Sequence, residues 1–416
     1  MTSPLLFDCS KDEQSFHVVE VAVSPLTQVL SYRVPTESPI SVGFRVSVPL
    51  GNRTTFGVVI RRNVKEHSLS QGFQLKAVHG DETPIPVLHP SQLPFLEWIA
   101  DYYGDSLSSV IDTCIPNIAL PKPVEMLSIN STQESLDLKG SKQKQIVAFL
   151  RERGGEVLSS ELRKIFPSSG QSLLTLKKKG IVQSSLRAHV PWYKNSNREA
   201  HPSLLSPPQL ILSPEQERAR IEIESALENE EFLPVLLHGV TGSGKTEVYI
   251  QTIHTARKKG LGALVLVPEI ALTPQLVDRF RAHFGDQVAV LHSALDKRAR
   301  WEMWEGILKG ELPIVIGARS AIFAPLPRLG IVVVDEEHDS SFKQAERFRY
   351  NGRDLAVKRA QLCSCPVVLG SATPSLESFY NAAQKRYRYL PLPNRAGTAE
   401  HNTFTVVNLN SVKRKE

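Results

Sequence analysis

A chain of 416 residues with 41% hydrophobic content can fill two or three domain cores. It contains no run of 18 apolar residues, which argues against a membrane-spanning helix, and its four cysteines are too few for a disulfide framework. Met1 to Ser10 lacks the cationic start and apolar core of a secretion signal, so the expectation is an intracellular protein with no membrane partner; its formal net charge of +6 is smaller than the excess found below in one short stretch.

In chain order, Val19 to Pro25 alternates apolar with small or polar residues. Tyr32–Pro35, Gly43–Gly51 and Phe56–Ile60 follow as short β-branched runs broken by Gly and Pro, the pattern of a small twisted β domain over residues 1–110. Arg45, Arg53, Arg61 and Arg62 lie between positions 41 and 62 with no acid among them, which predicts a basic surface. Phe95–Tyr103 is an amphipathic helix preceded by Pro90 and Pro94, and its aromatic stripe fits a core better than a binding face.

Residues 111–200 read as a second domain. Helices over Ser141–Arg153, Ser160–Phe166 and Gln171–Lys179, a turn at Gly154-Gly155, and a strand after Gly180 give the order of a winged helix. Residues 141–200 hold twelve Lys plus Arg against four Glu and no Asp. Such an excess is either the electrostatic footprint of phosphate binding or a solvated face. Ala188–Pro208, rich in Pro, Ser and Asn, reads as a linker.

Residues 201–400 carry the chemistry. Gly239-Val240-Thr241-Gly242-Ser243-Gly244-Lys245-Thr246 is G-x-x-x-x-G-K-T. It stands between an apolar strand, Leu233–Leu237, and a helix, Thr246–Lys259, closed by Gly260. That setting surrounds phosphate oxygens with backbone N–H groups and a helix N-terminus. Lys245 would reach the β- and γ-phosphates of ATP, and the Thr246 hydroxyl would bind Mg²⁺. About 90 residues on, the strand Ile331–Val334 ends in Asp335-Glu336-Glu337-His338. Asp335 would hold the magnesium shell, Glu336 would orient and deprotonate the attacking water, and His338 would couple the two sites. Gln216, upstream, could read the adenine edge or simply start a helix.

Further strands at Ala263–Val267, Ile314–Ile316 and Val367–Leu369 make 210–390 a parallel α/β sheet. They end in Pro268-Glu269, Gly317-Ala318-Arg319-Ser320-Ala321 and Gly370-Ser371-Ala372-Thr373-Pro374, where small and hydroxyl residues can approach a phosphodiester backbone. Ser371 and Thr373 could sense both the γ-phosphate and nucleic acid. Asp339–Tyr350 interleaves Phe342, Phe348 and Tyr350 with Lys343, Arg347 and Arg349, just ahead of Arg353. This is the composition of a base-stacking platform, or of a surface loop whose rings pack down. Cys363-Ser364-Cys365, with no second cysteine pair or histidine cluster nearby, reads as a reduced helix end.

The run Gly239–Tyr249, then Leu264–Gln275, Leu291-His-Ser, Gly317-Ala-Arg-Ser-Ala, Asp335-Glu-Glu-His and Gly370–Ser375 resemble the primosomal protein N′ family in order and spacing. These are the PriA replication-restart helicases of superfamily 2. The resemblance implies an α/β chain: a β domain that captures a DNA 3′ end, a winged helix, and one RecA-like lobe. It implies a DNA-dependent ATPase moving 3′ to 5′, with forked and single-stranded DNA, single-stranded-DNA-binding protein and primosome loading proteins as partners, in the nucleoid of a bacterial cytoplasm. Its 3′-end pocket maps onto Leu30, Ser31, Gly51 and Lys76; Ser31 departs from the family's usual aspartate and weakens the acceptor there. Residues Arg319, Ser320, Phe342, Lys343, Arg347 and Arg349 would contact DNA, the last four on an aromatic-rich coupling loop. Residues 401–416 would begin a second lobe whose arginine fingers, like the family's zinc insertion, are not in this chain. An arginine finger is worth roughly 10³–10⁵ in turnover, so the chain alone is expected to bind ATP and hydrolyse it poorly. The same residues would also suit a non-catalytic fork-DNA-binding module with an ATP-sensing lobe, and less well an RNA helicase.

Overall fold

The computed structural model describes residues 16–63, 75–79, 84–118, 124–130, 138, 140–187, 191, 211–345 and 348–396. They divide into two compact units, one of Met1–Asn117 with Ala200–Glu416, the other of Ile118–Glu199. The sequence-based division at 110 and 200 therefore separates an N-terminal sheet and a lobe that pack as one unit.

Period-2 alternation produces the first sheet. β1 (Phe16–Ala22), β2 (Leu30–Pro35), β3 (Phe44–Leu50), β4 (Arg53–Arg62) and β5 (Ile85–Pro86) form an antiparallel sheet of order β2-β1-β4-β3-β5. Val19, Val21, Val34, Val48 and Val59 fill its core. Helix α1 (Leu93–Tyr103) buries Phe95, Leu96 and Ile99 and ends at Gly104 in a left-handed cap. Of the aromatic stripe assigned to a core, Phe95 is buried, Trp98 and Tyr103 are half-buried and Tyr102 is exposed. Helix α2 (Leu107–Cys114) follows.

In the second unit, β6 (Val124–Ile129), α3 (Ser141–Glu152), β7 (Glu156–Leu158), α4 (Ser159–Ile165), α5 (Gly170–Lys178) and β8 (Val182–Arg187) make three helices on a three-stranded antiparallel sheet of order β7-β6-β8, a winged helix. Ile146, Leu150, Leu162 and Leu176 are its core.

The lobe begins with α6 (Pro214–Glu228), β9 (Pro234–Gly239) and α7 (Lys245–Lys258). Next come β10 (Gly262–Leu266), α8 (Pro274–Phe284), β11 (Val288–Leu291), α9 (Lys297–Leu308) and β12 (Ile314–Gly317). It closes with β13 (Leu329–Asp335), α10 (Gly352–Leu362), β14 (Val367–Ser371), α11 (Leu376–Ala383) and β15 (Arg388–Leu392). All seven strands are parallel, in the order β11-β12-β10-β13-β14-β9-β15. The five inner strands are apolar along most of their length because helices cover both faces. The two edge strands, β11 and β15, were not among the predicted strands.

Polar anchors join the N-terminal sheet to the lobe. The Gln92 amide donates to the carbonyls of Phe323 (2.9 Å) and Ala324 (3.2 Å), and the Trp304 indole donates to the Val87 carbonyl at 2.7 Å. The buried Arg359 guanidinium donates to the Ile322 and Ala324 carbonyls. These bonds satisfy backbone groups that a non-repetitive segment leaves without ladder partners.

Candidate nucleotide site and nucleic-acid face

At the C-terminal ends of β9 and β13 lies a cavity of about 510 Å³, lined by Gln216, Thr241–Glu247, Arg279, Asp335 and Glu336 among others. Gly242 and Gly244 take φ of 81° and 79°, a region open to glycine at no steric cost. At Gly244 a Cβ would also strike the Gln216 amide. The loop thus turns tightly into α7, and Lys245 and Thr246 open that helix facing the cavity. Lys245 is buried, with its Nζ 2.8 Å from the Gly239 carbonyl and 3.9 Å from Glu336. The Ser243 hydroxyl is buried without a hydrogen-bond partner. An orphaned hydroxyl, a buried cation, a threonine hydroxyl and a carboxylate in one cavity are the donor set that a polyphosphate and its divalent cation need. The residues fit Mg²⁺-ATP.

Asp335 sits where β13 ends, in register with Gly370 of β14. Burial, and then the neighbouring Glu336 charge, push its carboxyl above the ordinary aspartate value. Tyr249 of α7, fully buried, donates its hydroxyl hydrogen to Asp335 Oδ1 at 3.0 Å. Burial and the Asp335 charge hold that phenol well above its usual range, so it stays a donor. Glu336 has a φ of 46°, a left-handed conformation that costs a non-glycine residue about 1–3 kcal/mol and is characteristic of functional turns.

The residues expected to couple the two sites lie together. His338 Nδ1 is 2.8 Å from the Ser371 hydroxyl and 3.7 Å from Glu336, and its Nε2 is 3.4 Å from the Thr373 hydroxyl. Ser371 is fully buried and also accepts from the Thr373 amide at 3.0 Å. It therefore touches neither cavity nor solvent itself; any signal it carries runs through His338. Glu337, which the sequence reading left without a role, is buried and accepts from the Ser375 amide (2.7 Å), the Ser375 and Ser378 hydroxyls (3.0 and 2.8 Å) and Arg353 (3.2 Å). It pins the acidic motif to the segment after β14. No local pattern marks such a residue, because its partners lie 16 to 41 positions away.

Gln216 is partly engaged by the protein. Its carbonyl accepts from the Ser213 amide at 2.8 Å in a capping box, and its Nε2 donates to the Ser243 carbonyl at 2.8 Å. A carboxamide carries a second N–H and a second lone pair, and Gln216 lines the cavity, so clamping the P-loop leaves room for an adenine-reading role.

The nucleic-acid face also departs from expectation. Phe342, Phe348 and Tyr350 are buried, with Phe348 stacked on Tyr350 and edge-on to Tyr103 of α1. Phe342, 1% exposed, presents no ring to a base, so the predicted platform is a packed cluster. Arg319 donates to the Ser341 and Lys343 carbonyls at 2.8 and 2.6 Å and lies over the Tyr350 ring. It ties the loop to the strand end after β12. Ser320, Lys343 and Arg349 remain exposed, and Arg347 lies outside the described residues.

On the N-terminal sheet, Lys76 donates to the Gly51 carbonyl at 3.4 Å. Leu30 packs at the margin of the same core as Leu50, and Tyr32 donates to the Pro49 carbonyl at 3.1 Å, so the start of β2, with Ser31, is tied to the β3–β4 turn. The expected free basic surface is mostly engaged. Arg61 pairs with Glu20 (2.8 Å) and Glu97 (3.2 Å), Arg62 donates to the Ile40 and Thr36 carbonyls, and Arg45 lies over Phe56. In the winged helix, Lys177 is bound to Glu125 at 2.5 Å, while Lys178 is exposed.

A P-loop α/β lobe with a small β domain packed on it is an architecture of the helicase class. The DEAD/DEAH box helicase family matches residues 214–381, and the 3′DNA-binding domain (3′BD) of PriA matches residues 18–116. The replication restart protein PriA of Bacillus subtilis is 44% identical over 266 residues, 63% of this chain and 32% of that protein. PriA of Haemophilus influenzae is 33% identical across 94% of this chain and 54% of its own length, and PriA of Chlamydia muridarum 33% identical across 97% and 55%. The chain belongs to the PriA family. It spans between about a third and about half the length of these curated relatives.

Proposed function

We propose that this chain is the ATP-binding lobe and DNA-recognition part of a replication-restart helicase that acts on forked DNA and moves 3′ to 5′. The convergence of Lys245, Thr246, Asp335 and Glu336 on one cavity carries the reading. Mg²⁺-ATP, when bound, supplies the phosphoanhydride whose hydrolysis drives movement. Ser243 and Lys245 would bind its phosphates, the Thr246 hydroxyl would bind the cation, Asp335 would hold the cation's water shell, and Glu336 would orient the attacking water and take its proton. His338 stands between Glu336 and the Ser371–Thr373 pair, so a displacement at the strand ends alters the position of the base. A free 3′ end would be held by Leu30, Ser31, Gly51 and Lys76, and the phosphodiester backbone by Ser320, Lys343 and Arg349.

The test is ATP turnover with and without forked DNA carrying a free 3′ end, alongside DNA affinity. DNA-stimulated turnover lost in Glu336→Gln supports an ATPase motor. Tight fork binding with ATP bound and no turnover supports a DNA-recognition module that senses ATP. Preference for RNA over the fork refutes the DNA reading.

A further inference from the structure

Tyr249 stands one helical turn beyond Lys245 on α7, on the face turned toward the sheet. Its hydroxyl is the one side-chain donor that reaches Asp335 among the hydrogen bonds of the described residues. Room for it is made across the sheet. Gly370 pairs with Asp335 in register, and a Cβ at 370 would fall on the Tyr249 hydroxyl. The P-loop helix, the acidic motif and strand β14 therefore close around a single phenol oxygen. A tyrosine needed only as apolar filling would not require its neighbour strand to give up a side chain at the point where the hydroxyl lies.

We propose that Tyr249 is a positioning residue for the divalent cation: it fixes one oxygen of the Asp335 carboxylate so that the other faces the nucleotide cavity, and Gly370 is the space that permits it. This rests on the Mg²⁺-ATP reading of the cavity. A carboxylate free to rotate about its Cα–Cβ–Cγ bonds spends part of its time with neither oxygen aimed at the cation shell. A hydrogen bond from a rigid, buried ring removes that freedom, and outer partners of this kind commonly set metal affinity by about 10- to 100-fold.

The experiment titrates Mg²⁺ against a fluorescent ATP analogue bound to the whole chain, as wild type and as Tyr249→Phe, with melting temperature recorded for each. Tyr249→Phe keeps the ring and its packing. The expected result is a half-saturating Mg²⁺ concentration raised at least about tenfold, with analogue affinity in EDTA unchanged. Gly370→Ala, which displaces the hydroxyl without removing it, should raise the Mg²⁺ requirement in the same direction. An unchanged Mg²⁺ requirement in a folded Tyr249→Phe overturns the proposal while leaving the nucleotide site intact. Equal loss of affinity with and without Mg²⁺ also overturns it, since that is the signature of a merely structural role. No analogue binding by the wild type at any Mg²⁺ concentration sinks the nucleotide reading and the proposal together.

Discussion

Two regions lie side by side at the strand ends of the lobe and differ in how their polar and aromatic groups are used. In the nucleotide cavity, Ser243 carries a buried hydroxyl with no hydrogen-bond partner, and Lys245 and Thr246 line the cavity beside two carboxylates. In the neighbouring loop, Phe342 is buried, Phe348 and Tyr350 are buried and stacked on each other, and the cation before it, Arg319, is bonded to the loop's own carbonyls. The first region is preorganised for a ligand, the second for holding shape. A short anion needs a cradle in place before it arrives, because preorganised dipoles cost no rearrangement on binding. A long polyanion can be held through exposed cations and backbone, with rings kept as supports.

The contrast predicts where damage shows. Glu337→Ala leaves Arg353 and two serines without their buried acceptor, and should cost about 3–5 kcal/mol in denaturant unfolding. Phe342→Ala should cost a similar ~3–5 kcal/mol as a core cavity. A variant that unfolds normally but loses single-stranded-DNA affinity would show instead that the ring stacks on bases. Lys245→Ala removes a charge-assisted phosphate contact of about 3 kcal/mol, roughly 100-fold in ATP affinity, with the melting temperature nearly unchanged. Arg349→Ala should lower the slope of log affinity against log salt by about one phosphate contact and leave unfolding untouched; an unchanged slope would remove Arg349 from the DNA face.

The smallest effect concerns pH. His254 of α7 and His283 of α8, 3.4 Å apart, both titrate below the ordinary value of 6.5, mainly through burial. Below that value the unfolded chain takes up protons that the folded chain refuses, so stability is flat above about pH 6.5 and falls as pH drops beneath it. Denaturant midpoints from pH 8 to 5 check this, and His254→Gln should flatten part of the decline.

How much of this was legible in the sequence followed the range of the interactions. Strands β9, β10, β12, β13 and β14 are apolar runs buried on both faces and announced themselves. So did the phosphate loop and the acidic motif, whose chemistry is written in adjacent residues. Strand β15, Arg388-Tyr-Leu-Pro-Leu392, was illegible because an edge strand tolerates charge and proline. The α5 helix and its neighbours were visible as a winged helix, but β6, whose paired residues in β7 lie 28 to 32 positions further on, was not, since the pairing is long-range. Tyr249 and Glu337 were missed for a related reason: each acts on a partner brought near only by the closed sheet. Phe342 and Arg319 were read by what their side chains can do with a ligand. Composition does not reveal whether the fold has already employed them.

The seam at Gln92, Val87 and Trp304 has a consequence for assembly. Its bonds join positions 217 to 232 residues apart in the chain, with the winged helix threaded between them as an excursion that leaves the first unit and returns to it. Closing so long a detour is slow to search but cheap to extend, since each doubling of a loop adds only about 0.6 kcal/mol. A ribosome would release the N-terminal sheet long before its docking surface exists. Until Trp304 and the Phe323–Ala324 segment are made, the Gln92 amide and the Val87 carbonyl have none of these partners.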